Sequence, residues 1–269
     1  MRIRIHHQTH YRYAERPSYL VQRLHLTPAN FHGQTTIDWK ISTAGIENAL
    51  SYVDGFGNFI HLVTAHNLPL ENIVLAEGEV ETKDTAGLVT GLMSNVPDTV
   101  FLRQTPLTMP DAAITAELMQ WGEKASALET AHSLMGHLHE TIAYEVGATK
   151  TDSTAAEAFA RRSGVCQDHS HLMVGMARTL GIPSRYVTGY LVTGAGASSV
   201  AAHAWAELLI PDLGWVGFDA TNCQGPTEHY VRVAAGLDAM AVAPVKGSRR
   251  GGTEAEHMTV EVRVEIAQQ

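Results

Sequence analysis

The chain has 269 residues, of which 45% are hydrophobic, enough to bury a substantial core as one large domain or two. Its formal net charge of −9, with no basic run longer than Arg249-Arg250, gives no electrostatic footprint for nucleic acid or an anionic membrane. No stretch is apolar enough to cross a bilayer, and Met1 to His7 alternate charge rather than forming the apolar run of a signal peptide. Two cysteines, Cys166 and Cys223, cannot build a disulfide framework, and a reducing cytoplasm suits a working thiol, so a cytoplasmic protein is expected.

In chain order, Ile3, Ile5, His7, Thr9, Tyr11 and Tyr13 alternate with more polar neighbours, the pattern of a strand with one buried face. Strand-like runs follow at Tyr19–Thr27, Thr36–Ser42, Leu50–Asp54, Phe59–Ala65 and Asn72–Lys83, with Gly55-Phe56-Gly57-Asn58 as a hairpin turn. Several short strands with turn signals between them predict a β-sandwich or barrel-like domain over residues 1–100, with Thr85–Pro110 as the passage into helical sequence. Helices are predicted from Asp111 to Gly122 and from Leu128 to Ile142. Thr154-Ala155-Ala156-Glu157 is a capping box that opens a third helix, ended by Gly164. Strands are expected at Arg185–Val192 and around the Pro211–Gly214 turn, irregular chain from Glu228 to Gly252, and a last strand carrying Val260, Val262, Val264 and Ile266 on one face. Residues 101–269 read as a second, α+β unit, and the pairing partner of its last strand is not legible.

The stretch Ser163–Pro183 organises that unit. Val165, Leu172, Met173, Met176 and Leu180 fall at helical spacing, and Gly181 and Pro183 supply a left-handed cap and a block, so a helix begins close to Cys166. A helix N-terminus favours a thiolate, and cysteines so placed titrate well below the free value of about 8.5. The same N–H groups suit an oxyanion. The competing reading is a small buried hydrophobe.

A nucleophilic thiol needs a base, and the base an orienting group. AAHAWAELLI supplies His203 and GWVGFDATN supplies Asp219, on the two strands of the predicted hairpin. If Leu209 pairs with Trp215, Asp219 lies opposite Trp205 with His203 a diagonal step away, whereas a slip of one residue separates them.

GVCQDHSHL, HAWAE and WVGFDATN, in that order, resemble the transglutaminase-like branch of the papain-like cysteine enzymes, and in particular its bacterial two-domain members. THYRYAERPSYLVQRLHLTP, DGFGN, RYVTGYL and PVKGSRRGG extend the likeness over most of the chain. The resemblance implies an α+β fold: an N-terminal β-sandwich-like domain, then a core whose nucleophile helix packs on an antiparallel sheet. It further implies Cys166 as nucleophile, His203 as base and Asp219 as orienter. Asp219 is followed here by Ala220-Thr221, where Pro-Thr is more usual.

Other residues carry weaker signals. Asp168 falls in the first turn of the Cys166 helix, as a dipole-stabilised charge or a substrate-positioning group. Gln167 belongs to the motif without assigned chemistry, Tyr144 is a candidate oxyanion donor or an ordinary buried tyrosine, and Trp205 and Trp215 are core or cleft wall. Cys223 is read as an unreactive neighbour with a regulatory disulfide as the alternative. Among 15 histidines, neither His169 and His171 nor His132, His137 and His139 form a zinc pattern, so no metal and no cofactor is implied. The Gly/Ala/Ser-rich segment Thr193–Val200 is a candidate cleft rim. An acyl-transfer enzyme acting on peptide, isopeptide or other amide bonds is expected, hydrolase ahead of cross-linking transglutaminase, with a non-catalytic interaction domain as the alternative from another class.

Overall fold

A computed structural model describes residues 1–92, 94–119, 126–193, 202–251 and 256–267. In chain order the strands and α-helices are β1 (Arg2–Arg12), β2 (Tyr19–Leu24), β3 (Gln34–Ser42), β4 (Leu50–Val53), β5 (Phe59–His66), β6 (Glu71–Thr82), β7 (Leu88–Val89), α1 (Ala112–Met119) and α2 (Ala127–Thr141). They continue with β8 (Ala143–Tyr144), α3 (Ala155–Arg161), β9 (Ser163–Gly164), α4 (Cys166–Thr179), β10 (Ser184–Leu191), β11 (His203–Ile210), β12 (Gly214–Phe218), β13 (Tyr230–Gly236), β14 (Val245–Arg250) and β15 (His257–Ile266). The fold is α+β, with the sandwich and the helix-on-sheet core that the sequence predicts. The part of the first predicted helix beyond Met119 and nearly all of the Thr193–Val200 rim lie outside the described residues.

Two four-stranded antiparallel sheets, in the orders β15-β1-β6-β3 and β14-β2-β5-β4, form the sandwich. Tyr11, Leu24, Val63, Val74 and Ala76 fill the space between them. A five-stranded sheet, β13-β10-β11-β12-β7, carries α4. Leu172, Met173 and Met176 of α4 share a core with Ala204, Ala206, Leu208 and Ile210 of β11, and that core extends to Ile3, Ile5, Val262 and Val264 of the sandwich.

The sandwich and the helical core are therefore built from interleaved chain. The last strand, grouped from sequence with the second unit, pairs along its length with β1, with Ile5 opposite Val264 and Thr9 opposite Val260. Val262 and Val264 find their apolar partners there. The passage from Glu228 to Gly252, expected to be irregular, contains β13 and β14. Every residue of β13 is buried, so YVRVAAG has no in-out alternation to read, and β14 is an outer strand of largely exposed polar residues. Within the passage read as a connection, Leu88 and Val89 pair with Val216 and Trp215.

β13 is an edge strand of its sheet, and the N-terminal region satisfies its outer groups through side-chain amides. Gln34 donates Nε2 to the Arg232 carbonyl at 2.7 Å and accepts the Arg232 N–H at 2.7 Å. Asn58 does the same at Ala235, donating at 2.8 Å and accepting at 2.8 Å. Asp54 holds Asn58 in place by accepting from its backbone N–H and from Nδ2. The DGFGN turn thus docks the sandwich onto the core sheet.

Candidate active site

The end of α4 is set as the sequence predicts: Gly181 has φ +79°, and the Ile182 and Gly181 N–H groups donate to the Ala177 and Arg178 carbonyls. At its start, Cys166 is the first helical residue, half-buried and not disulfide-bonded. A residue so placed has a backbone N–H without an acceptor within the helix. Asp168 is fully buried, and its Oδ2 accepts from the Val165 N–H at 2.8 Å and from Thr149 Oγ1 at 2.6 Å. It braces the helix start rather than facing the cleft. Gly164 allows this, since a Cβ there would lie 2.7 Å from Asp168 Cβ. His169 bridges the Val165 and Ile142 carbonyls, both at 3.0 Å, and His171 accepts the Ala239 N–H through Nε2 at 3.1 Å.

His203 opens β11. The register pairs Leu209 with Trp215, the arrangement that brings His203 and Asp219 together. His203 Nε2 lies 2.7 Å from Asp219 Oδ2, leaving Nδ1 for the hydrogen bond between this ring and Cys166. Burial opposes charging the imidazole, but the hydrogen bonds to Asp219 and Cys166, and the charges of both, outweigh it and raise the His203 pKa to about 9. Asp219 is fully buried. Burial favours its neutral form, yet His203, Asn222 and Tyr230 together hold its pKa below the usual carboxylate value.

The acceptor capacity of Asp219 is heavily used. Oδ2 also receives Asn222 Nδ2 at 2.7 Å and the Tyr230 hydroxyl at 2.7 Å, while Oδ1 receives the Thr221 and Asn222 backbone N–H groups at 2.9 and 3.3 Å. Gln224 Nε2 donates to the Tyr230 hydroxyl oxygen at 2.8 Å. Asn222, Gln224 and Tyr230 were not singled out from the sequence. The Asp-Ala-Thr-Asn order is an Asx-turn signal that would have pointed to the backbone donors and Asn222. Tyr230 lay in chain without readable periodicity.

Trp205 is buried behind the imidazole, with ring centroids 6.3 Å apart and planes at 27°, and meets Tyr230 edge-on. It supports His203 and does not line the cleft that Cys166 opens into. Further along the same strand, fully buried Glu207 bridges Arg185 at 2.5 Å and Arg232 at 2.8 Å, tying β10, β11 and β13 together. Gln167 and Tyr144 do line the cleft, Gln167 donating to the Thr151 carbonyl at 3.1 Å. Partial burial and then the charge of Cys166 raise the Tyr144 pKa, so the phenol stays neutral in the cleft that it shares with Cys166.

The family model described as the transglutaminase-like superfamily matches residues 112–220, and that of the bacterial transglutaminase-like N-terminal region matches residues 3–81. The chain belongs to the transglutaminase-like superfamily. The core match contains Cys166, His203 and Asp219. An uncharacterized protein of Mycobacterium leprae is 29% identical over 272 residues, spanning 94% of this chain and 95% of that protein. A protein-glutamine gamma-glutamyltransferase of Pseudomonas aeruginosa is 33% identical over 135 residues, 47% of this chain and 20% of that protein. Among solved structures, one described as a putative cysteine protease from Cytophaga hutchinsonii has a TM-score of 0.75 at 21% identity, covering 97% of this chain and 90% of that one. That likeness shows the shared fold.

Proposed function

We propose that this transglutaminase-like protein is a cysteine hydrolase of amide bonds that works through an acyl-thioester on Cys166. The observation that supports it most is the short relay in which His203 joins Cys166 to the buried Asp219, at 2.7 Å on the aspartate side, with the sulfur at the start of α4. In the first half-reaction the Cys166 sulfur attacks the substrate carbonyl and a C–S bond forms. The charge on oxygen meets the Cys166 N–H, with the Tyr144 phenol beside it. The C–N bond then breaks as protonated His203 gives its proton to the departing amine. In the second half-reaction His203 takes a proton from water, whose oxygen attacks the thioester, and the C–S bond breaks to release the acid. Asp219 keeps Nδ1 turned to sulfur and stabilises the imidazolium at both stages.

A second reading, transfer of the acyl group to an amine, draws on the likeness to the gamma-glutamyltransferase of P. aeruginosa over the core. Both share the nucleophile, which labelling tests. At pH 6 an excess of iodoacetamide or an electrophilic amide library should modify Cys166 ahead of the exposed Cys223, as read by peptide mapping. His203→Ala should abolish turnover and the rate advantage of Cys166 while leaving the fold intact. Modification of Cys223 first, or turnover in the His203 variant, would sink the reading.

A further inference from the structure

The inward face of β1 is shared along its length. Ile3 and Ile5 belong to the helical core and Tyr11 to the sandwich core, and between them His7 and Thr9 line a cleft of about 490 Å³ in front of Cys166. β15 runs beside β1, so its apolar stripe crosses the same boundary. Val264 and Val262 are 0% and 1% exposed in the core, whereas Val260 and Met258, next on that stripe, are 47% and 52% exposed and line the cleft. From other elements Met240, Tyr144 and Val146 reach the cleft, and all three are likewise exposed. Among the described residues the lining contains no Asp, Glu, Lys or Arg. Burial, then the nearby His6, lowers the His7 pKa to about 4, so this lining imidazole is neutral at physiological pH and pairs with the Tyr190 hydroxyl at 2.8 Å.

Exposed apolar side chains gathered in a concavity are the mark of a ligand surface, since each large one gains roughly 1.5–3 kcal/mol on full burial. A charged side chain packed away from the Cys166–His203 pair would leave water without meeting a counter-charge from any Asp, Glu, Lys or Arg among the described lining residues. Because the acyl part stays on sulfur through the thioester stage, it must fit the cleft that the sulfur opens into. We propose that the acyl portion of the substrate carries an uncharged, apolar side chain that packs on Met258, Val260 and Met240, so that the C-terminal strand sets specificity at Cys166. This proposal rests on Cys166 being the nucleophile.

The test uses the full chain and the p-nitrophenyl esters of N-acetyl-leucine, N-acetyl-methionine, N-acetyl-glutamate and N-acetyl-lysine. The p-nitrophenol burst gives the acylation rate after subtraction of spontaneous hydrolysis, and mass mapping locates the acyl group. Leucyl and methionyl esters should acylate Cys166 about 100-fold faster than the glutamyl and lysyl esters. Val260 and Met258 are half exposed on an outer strand, so Val260→Lys and Met258→Glu should keep the native circular dichroism and melting cooperativity. Val260→Lys should slow the leucyl ester about tenfold and favour glutamyl over lysyl, and Met258→Glu should favour lysyl over glutamyl. Equal acylation of Cys166 by all four esters, or rankings unmoved in both folded variants, would overturn this proposal alone. Absence of acylation at Cys166 with every ester would overturn the nucleophile and this proposal with it.

Discussion

The Tyr230 hydroxyl donates to Asp219 Oδ2 at 2.7 Å, the same oxygen that meets His203 Nε2. Burial, and then the Asp219 charge, raise the Tyr230 pKa above that of a free phenol, so it remains a donor at any working pH. Tyr230→Phe removes one donor from the carboxylate and leaves Asn222 and the two backbone N–H groups in place. The expected outcome is a fall in kcat of about tenfold with KM unchanged, from loss of a hydrogen bond to a charged group. The alkaline edge of the pH–rate profile should move upward, because a carboxylate with fewer donors holds the imidazolium proton more tightly. A tyrosine that only packs would cost stability and leave that edge where it was.

The raised His203 pKa has a thermodynamic consequence. It is about 9 in the folded protein and about 6.5 in an unfolded chain, so the folded state binds more protons between these values. The stabilisation is therefore complete below pH 6.5 and is lost as pH rises through 9. Its upper size is roughly 3 kcal/mol, at 1.36 kcal/mol per pKa unit. Urea unfolding of the wild type and of His203→Asn should show a stability difference that shrinks by that order between pH 6 and pH 10. A constant difference would contradict a charged His203 held by Asp219 and Cys166.

Much of this site is legible in the sequence because its parts obey local rules. Cys166 is fixed by the apolar spacing and the Gly181 cap of α4, and the distance from His203 to Asp219 by a hairpin whose register turns on Leu209 opposite Trp215. What was not legible depends on burial from two sides. β13 is covered on both faces and carries no alternation, so Tyr230 and its bond to Asp219 were hidden in chain that looked irregular. The pairing of β15 with β1 is a long-range choice that an apolar stripe permits but does not specify, and it alone puts Met258 and Val260 in front of Cys166.

Asn58 offers a test of how the sandwich is held. Its side chain makes both bonds to Ala235 in a fully buried setting, with Asp54 fixing its orientation. Asn58→Ala leaves the Ala235 N–H and carbonyl without partners, at a cost of about 2–4 kcal/mol. Asn58→Asp keeps the acceptor but loses the donor, and sets a second carboxylate beside Asp54. The aspartate variant should be no more stable than alanine in urea unfolding near pH 7 and should recover partly on acidification, as protonation restores a donor. Wild-type stability in either variant would show that the turn does not dock β13.

The fate of the acyl-enzyme separates a hydrolase from a cross-linking enzyme. A lysine side chain with pKa near 10.4 is only about 0.04% unprotonated at pH 7, while water is abundant at the thioester. Transfer therefore requires walls that exclude water and steer a neutral amine. Aromatic residues make up 7% of this chain, and among the described residues lining the cleft the aromatics besides histidine are Tyr11, Tyr144 and Tyr186, with no tryptophan. Trp205 is turned to the back of His203, and Trp215 lies against Phe101 and Arg185. With no indole among the described residues that line the cleft, water should win. The measurement is the ratio of acid to amide product when N-acetyl-leucine p-nitrophenyl ester is turned over in the presence of a primary amine, corrected for direct aminolysis by omitting the enzyme. Acid should predominate at millimolar amine and give way only slowly as amine rises. Predominantly amide product at modest amine concentration would instead make transfer to an amine the reaction of this site.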